Sequence, residues 1–323
     1  MQTLAHASQL RKRNVPIMLA AGFFDGVHQG HRDVLASTVA RARETGGQAW
    51  ALTFDRHPLS VLAPSKAPPL LNTKEQRLAR LEALGLDGVL LLPFSRRMAL
   101  LAPEAFVKWL CGEPEARTPH MRLSEIRCGA NWRFGRRAAG TPELLAEYGK
   151  AYGFRVVIVK YAEYQGHEIS STRIREAICD GRVADAAAML GDPYTLSGTI
   201  LRGRGAGRGL GFPTANIRPA AEVLPPDGVY ATRSRVCGQT FDSISNFGTA
   251  PTFGEQKADV PESRILETHL LGYTGGDLYG QAIDVSLLGR IRDEQPFASA
   301  SALTAQIAQD IETARLHFAH QRG

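Results

Sequence analysis

Cysteine is scarce in this chain, and what there is stands unpaired. Cys111, Cys128, Cys179 and Cys237 lie far apart with no Cys-x-x-Cys among them. That spacing excludes a zinc ribbon and argues against a disulfide framework, so reduced, structural thiols are expected. Long apolar runs are missing too. The richest, "GLDGVLLLPF" (85–94), falls far short of the roughly 20 residues a membrane-spanning helix needs. The opening "MQTLAHASQLRKRNVP" has basic residues but no apolar core ahead of a secretory cleavage site. Internal repeats, low-complexity tracts and a Gly-x-x-x-x-Gly-Lys-Ser/Thr loop are also absent. What remains is an ordinary globular composition, 44% apolar and 22% charged, over 323 residues. That length suits two domains. A cytoplasmic protein with no membrane partner is the expectation.

Basic residues outnumber acidic ones, 38 to 32, for a net charge of +6. Arginine clusters carry much of the excess: "RFGRR" (133–137), "STRIR" (171–175) and "RGRGAGR" (202–208). Planar guanidinium forks match phosphate oxygens. A nucleic-acid binder is the broad alternative. Yet zinc-finger spacing, a heptad-bearing basic helix and an aromatic RNP-like strand are all lacking. Small phosphorylated ligands explain the clusters with fewer assumptions, and no nucleic-acid partner is expected.

Two grammars divide the chain. From about 15 to 185, short apolar runs ("VPIMLAAG", "QAWALTF", "DGVLLLPF", "EIRCG", "FRVVIVK") alternate with helical patterns ("HRDVLASTVARARETGG", "NTKEQRLARLEALG", "TPELLAEYGKAYG"). Asn-Thr or Thr-Pro starts and glycine stops punctuate the helices. Such alternation predicts an α/β doubly wound parallel sheet, with ligands bound beyond the carboxyl ends of its strands. After "MLGDPYTLSG" (189–198) the segments shorten and Gly, Pro and Asp turns separate them. That predicts a small antiparallel β-barrel, closed by a C-terminal helix with Leu303, Ile307, Ile311, Ala314 and Phe318 on one stripe. The division is drawn as 1–186 and 187–323.

"GFFDGVHQGH" (22–31) occupies the first strand-to-helix turn. A zinc helix prefers histidines four apart with an intervening glutamate. Here His28 and His31 are three apart, without the glutamate or an evident third ligand. Helix capping by the two rings is the structural alternative. A helix opening near His31 aims unpaired N–H groups and partial positive charge at the turn, and Gly30 leaves phosphate oxygens room to approach. The two imidazoles can then donate hydrogen bonds to charge developing in phosphoryl or nucleotidyl transfer.

In the second domain, "GRGAGRGLGFPTANI" (203–217) is a glycine-rich turn ending in oxygen donors. Further on, "RILETHLLGY" sets Glu267 on a strand face with Ile265 and His269, opposite Leu266, Thr268 and Leu270. A carboxylate among so many apolar residues can serve as a general base. An ordinary barrel-mouth salt bridge is the alternative.

These motifs resemble the bacterial bifunctional riboflavin kinase/FAD synthetase family. "GFFDGVHQGH" is similar to the HxGH motif of nucleotidylyltransferases, and "ISSTRIREAI" (169–178) to their second, triphosphate-binding motif. "LTFDRHP" (52–58) resembles the family's strand end near the flavin. "CGANWRFGRRAAG" (128–140) resembles its nucleotide-contacting segment, with Trp132 where Phe is commoner. "GRGAGRGLGFPTANI" and the Glu267 strand resemble the riboflavin kinase signature. So do "PDGVYA", "NFGTAPTF", "DLYG" and "RDEQPF", which follow in the family's order. The resemblance implies a Rossmann-like FMN adenylyltransferase domain and a riboflavin kinase barrel. Riboflavin would be phosphorylated to FMN, and FMN adenylylated to FAD, each with ATP. It further implies catalytic roles for His28, His31 and Glu267. ATP would be held in the first domain by Gly22, Phe24, Asp25, Gly26, Gly30, Asn131, Ser171, Thr172 and Arg175. Gly203, Gly207, Arg208, Gly209 and Gly211 would hold it in the second, with Mg²⁺ on Thr214 and Asn216. Homo-oligomer formation stays open.

Overall fold

The computed structural model describes residues 1–112, 123–202, 211–249 and 264–320. The chain divides into two compact units, Met1–Ser171 and Thr172–Gly323.

In the first unit the apolar runs become parallel strands: β1 (Gln2–Leu4), β2 (Ile17–Ala21), β3 (Gln48–Phe54), β4 (Gly88–Leu92), β5 (Leu123–Gly129) and β6 (Arg155–Val159). Their order across the sheet is β1-β4-β3-β2-β5-β6. Helices α1 (Ala7–Leu10), α2 (Gln29–Glu44), α3 (Pro58–Leu62), α4 (Lys74–Ala83), α5 (Arg96–Ala99), α6 (Pro103–Cys111) and α7 (Pro142–Tyr152) lie between strands. β2 is buried at every position and feeds both faces. Met18 and Ala20 pack with Leu35 and Val39 of α2, while Leu19 and Ala21 join Phe106 of α6 and Leu145 of α7. The helix ends follow their sequence signals. Thr73 and Gln76 form a reciprocal capping box on α4, and Thr141 caps α7, which stops at left-handed Gly153. A two-strand hairpin, β7 (Glu163–Tyr164) and β8 (His167–Glu168), follows β6.

From β2 the chain steps one way to β3 and β4, then crosses to the other side for β5 and β6. The switch point is therefore the β2/β5 pair, where a crevice opens beyond the strand ends. The turn after β2 is "GFFDGVHQGH", and the loop after β5 is "ANWRFG". Several elements lie outside the expected pattern: the short helices α1, α3 and α5, the β7/β8 hairpin, and the two that follow. β1 is an edge strand pairing Gln2–Leu4 with Gly88–Leu90, and α6 is an additional buried helix.

Helices α8 (Ser171–Cys179) and α9 (Val183–Leu190) precede a closed antiparallel barrel. Its strands are β9 (Thr195–Leu201), β10 (Ala215–Pro219), β11 (Gly228–Val236), β12 (Gln239–Thr249), β13 (Arg264–Leu270) and β14 (Ala282–Arg292), ordered β10-β13-β12-β11-β14-β9. Inside, Thr232, Ser234, Ser243, Ser245 and Thr268 are fully buried and bond one another at 2.7–2.9 Å. Mutual pairing satisfies hydroxyls that would otherwise be costly to bury. Helix α10 (Ala300–His320) crosses the outer wall. Ala314 and Phe318 pack on Ala231 and Leu288. Leu303 and Ile307, on the same stripe, line a cavity instead.

Candidate active sites

The histidine turn is held in an unusual backbone. Phe24 (φ 59°), Gly26 (φ 82°) and Val27 (φ 45°) are all left-handed. Two of them are not glycine, a strain of the kind that clusters at functional sites. Buried contacts hold it there. The Asp25 carboxylate accepts the backbone N–H groups of Leu71 (3.0 Å) and Asn72 (3.4 Å). Its carbonyl accepts the Ser171 hydroxyl at 3.0 Å. Thr53 donates its hydroxyl to the Phe23 carbonyl at 2.9 Å. A side chain at Gly22 would strike the Phe24 ring at 2.7 Å.

His28 caps α2, its Nδ1 accepting the His31 N–H at 3.4 Å. The two rings stack at 3.6 Å, and Phe24 meets His31 edge-on. Burial, aided by the neighbouring His28, holds His31 well below the ordinary histidine pKa. His31 is therefore neutral at pH 7, with one N–H to donate. Its Nδ1 is buried without a partner. A Cβ at Gly30 would meet only ordinary contacts, at 3.5 Å and beyond. Packing alone does not demand glycine there.

Loops beyond β3, β4 and β5 enclose an apolar cavity of about 780 Å³. Phe54, Leu62, Phe94, Met98, Trp132 and Phe134 line it, with Arg96, Arg133, Arg136 and Arg137 also contributing. Trp132 stacks on Phe134 at 5.0 Å. Asn131 is exposed, and its N–H bonds the Tyr161 hydroxyl.

In the barrel, register builds a second site. Glu267 of β13 faces Asn216 of β10 on one side and Asn246 of β12 on the other. Strand alternation sends Leu266, Thr268 and Leu270 inward and Ile265, Glu267 and His269 outward. Glu267 therefore stands on the outer wall, in a cavity of about 570 Å³ that also includes Thr214, Glu294, Phe297, Leu303 and Ile307. Glu267 is accessible, yet the cavity's walls, and then the Glu294 charge, raise its carboxyl above the ordinary range. Asn246 holds Glu294 through an amide N–H at 2.7 Å. Arg292 forks onto buried Asp310 of α10 at 2.7–3.0 Å, tying the helix to this wall.

Comparison with known proteins covers both units. Residues 10–173 match the FAD synthetase family model, and residues 190–318 the riboflavin kinase model. The chain is 37% identical to the bifunctional riboflavin kinase/FMN adenylyltransferase of Escherichia coli K12, over 93% of this chain and 92% of that one. The Bacillus subtilis protein of that name is 31% identical over 97% and 96%. The chain belongs to the bifunctional riboflavin kinase/FMN adenylyltransferase family. Among solved structures, a Streptococcus pneumoniae chain described as a macrolide-efflux protein aligns over 98% of this chain and 99% of its own, with a TM-score of 0.80 and 28% identity. No helix among the described residues is long and apolar enough to cross a membrane.

For a member of this family, the sequence-derived residues fall in several places. Gly22, Phe24, Asp25, Gly26, His28, Gly30 and His31 form one turn, and Ser171 reaches it through Asp25. Asn131 lies beyond the neighbouring strand, and Thr172 and Arg175 are on α8. Thr214, Asn216 and Glu267 come together around β10 and β13. Gly211 is left-handed with open space beside it. Gly203, Gly207, Arg208 and Gly209 lie outside the described residues. The sequence reading missed Glu294 and Asn246 as neighbours of Glu267, although "RDEQPF" and "NFGTAPTF" contain them. It also missed Arg77, whose spacing of four from buried Leu81 puts it on the inner face of α4. Cys111 and Cys128 fit the expected structural role, since burial pushes both thiols up to about 12.

Proposed function

We propose that this protein makes FAD from riboflavin in two ATP-dependent steps, residues 187–323 forming FMN and residues 1–186 adenylylating it. The observation that carries the reading is the Glu267 cavity. It joins apolar walls wide enough for a fused-ring flavin to an accessible carboxylate flanked by amides. In the first step the riboflavin 5′-hydroxyl attacks the γ-phosphorus of ATP. Glu267 takes its proton, and the bond to the bridging oxygen breaks to release ADP. Thr214 and Asn216 offer a hydroxyl and an amide oxygen, a donor set that suits Mg²⁺ shared with substrate phosphates. With that ion bound, its charge would offset the negative charge of the ATP phosphates.

In the second step the FMN phosphate attacks the α-phosphorus of ATP, and pyrophosphate leaves. This nucleophile is already anionic, so the site needs alignment and charge stabilisation instead of a base. His28 and His31 supply hydrogen-bond donors. Gly22, Phe24, Asp25, Gly26 and Gly30 shape the turn that receives the phosphates. Asn131, Ser171, Thr172 and Arg175 complete the nucleotide contacts. The aromatic cavity between the β3, β4 and β5 loops would take the flavin ring of FMN. Gly203, Gly207, Arg208, Gly209 and Gly211 would hold the kinase's ATP. We place the protein in the cytoplasm, where ATP for both steps is supplied, with its arginines serving small phosphates and not nucleic acid.

Incubation with riboflavin and Mg-ATP, followed by chromatographic separation of the flavins, tests this. FMN followed by FAD is the expected course. FMN accumulating without FAD would overturn the second step, and unchanged riboflavin would overturn the whole reading.

A further inference from the structure

An arginine inside a domain has to be explained. Arg77 of α4 is 3% exposed, whereas Lys74 and Glu75 one turn earlier are exposed. Burial lowers the proton affinity of the guanidinium, and Asp25 and Asp55 partly offset that. Desolvating such a group is expensive unless its donors are matched. Nη1 donates to the Phe23 carbonyl at 3.1 Å and Nη2 to the Phe54 carbonyl at 2.6 Å. Nε is buried without a partner. The guanidinium plane also lies over the Phe23 ring, 4.5 Å from its centroid.

The two carbonyls belong to different parts of the adenylyltransferase unit. Phe23 opens the histidine turn. Its ring also meets His57 edge-on at 4.9 Å, and His57 caps α3 by accepting the Leu59 N–H. Phe54 ends β3, and its ring packs on Phe94 in the wall of the aromatic cavity. The backbone ladder between β2 and β3 runs out at the bond from Gly22 N–H to Leu52 C=O. Beyond that point the Thr53 hydroxyl on the Phe23 carbonyl and the planar fork of Arg77, one branch on each side, continue the link.

We propose that Arg77 is a positioning residue for adenylyl transfer, fixing the histidine turn against the aromatic wall so that the two bound phosphates meet in line. The inference rests on the functional reading above. Effective alignment is worth large factors in rate, and a misplacement of about 1 Å costs on the order of 10²-fold. Because the link lies between two binding surfaces and forms neither, its loss falls on turnover more than on either substrate's binding.

The test is steady-state FAD synthesis from supplied FMN and Mg-ATP by the full-length protein, with FMN formation from riboflavin as an internal control. Arg77→Met is expected to lower kcat about 100-fold, with both KM values within about threefold and the kinase rate unchanged. Arg77→Lys keeps the charge, but a single ammonium lacks the planar two-branched fork. It is expected to recover no more than about tenfold. If Arg77→Met does not fold, as shown by circular dichroism and loss of the first unit's unfolding transition, Arg77→Lys decides the matter alone. Reduced kcat at unchanged KM supports positioning, and wild-type kcat overturns it. A rise in KM at constant kcat, in either folded variant, also overturns it. The reading beneath the inference fails separately: wild-type protein would make no FAD, or His28→Ala would leave FAD synthesis intact.

Discussion

The two sites use one physical effect in opposite directions. Removal from water disfavours the charged form of a side chain, whichever sign it carries. At the histidine turn that keeps His31 neutral, which suits the donor role we propose beside a nucleophile that brings its own charge. On the barrel wall it raises the proton affinity of Glu267, which would improve the base we propose for a neutral hydroxyl. The scaffolds differ in kind as well. The first site is a strained turn at the switch point of a parallel sheet, with three of the four residues from Phe24 to Val27 at positive φ. The second is unstrained extended strand, where register alone lines up Asn216, Glu267 and Asn246. Chemistry that needs convergent donors is built from bent backbone, whereas chemistry that needs one base is built from pleat.

The contrast breaks most sharply at Glu267. Glu267→Gln removes the base while keeping size and hydrogen bonding. FMN formation is expected to fall about 10²- to 10⁴-fold. FAD formation from supplied FMN should stay within about twofold of wild type. Flavin chromatography on the two half-reactions measures both. Equal losses in the two would mean that the sites are not chemically separate.

At the other site, His31→Asn keeps a neutral donor in place of a neutral imidazole. The rate of FAD formation is expected to drop about 10²-fold through poorer geometry. Its pH profile should keep its shape, because a ring that is already neutral contributes no titration near pH 6–7. Disappearance of a limb in that range would show that His31 works as a cation and would remove half of the comparison.

How far the sequence exposes these sites differs element by element. β2, β3 and β4 were legible because buried parallel strands are nearly continuous apolar runs, and the edge strand β6 because Val156, Val157, Ile158 and Val159 are β-branched. β1 was not, since Gln2 and Thr3 are exposed and its pairing with β4 is purely tertiary. β10 hid inside a string that reads as glycine-rich loop, yet it carries Asn216 to Glu267. The alternation around Glu267 was visible in "RILETHLL", but the cavity around it depends on α10, whose Leu303 and Ile307 line it. Arg77 sits in "KEQRLAR", where one inward guanidinium looks like any other charge of an amphipathic helix. Only the buried face shared with Leu81 marks it.

A finer comparison concerns the proton affinity of the base. As the proposed base Glu267 would act deprotonated, so with its raised pKa FMN formation is expected to be lost as pH falls through a value above the ordinary carboxylate range of about 4.3. Burial is the main cause and the Glu294 charge the lesser one. Glu294→Gln is therefore expected to move the acid limb of kcat/KM for riboflavin toward lower pH. The FAD-forming profile should not move. A shift toward higher pH would mean that Glu294 stabilises the charged base, contrary to two carboxylates sharing one cavity.

The smallest test separates functional strain from incidental strain. Both units contain a two-residue hairpin with a non-glycine residue at positive φ: Gln165-Gly166 between β7 and β8, and Cys237-Gly238 between β11 and β12. Such turns favour Asn-Gly, because Asn tolerates the left-handed region better than most side chains. Neither hairpin contributes a residue to either site. Cys237→Asn and Gln165→Asn are each expected to raise stability by up to about 1 kcal/mol in urea unfolding, with both reaction rates unchanged. Phe24 and Val27 carry the same kind of backbone strain, but there the turn aims His28 and His31. Val27→Gly would relax that conformation at the cost of a fully buried side chain, and it is expected to slow FAD formation while sparing FMN formation. If the hairpin substitutions altered rates as Val27→Gly does, positive φ would be no guide to which bends in this fold serve chemistry.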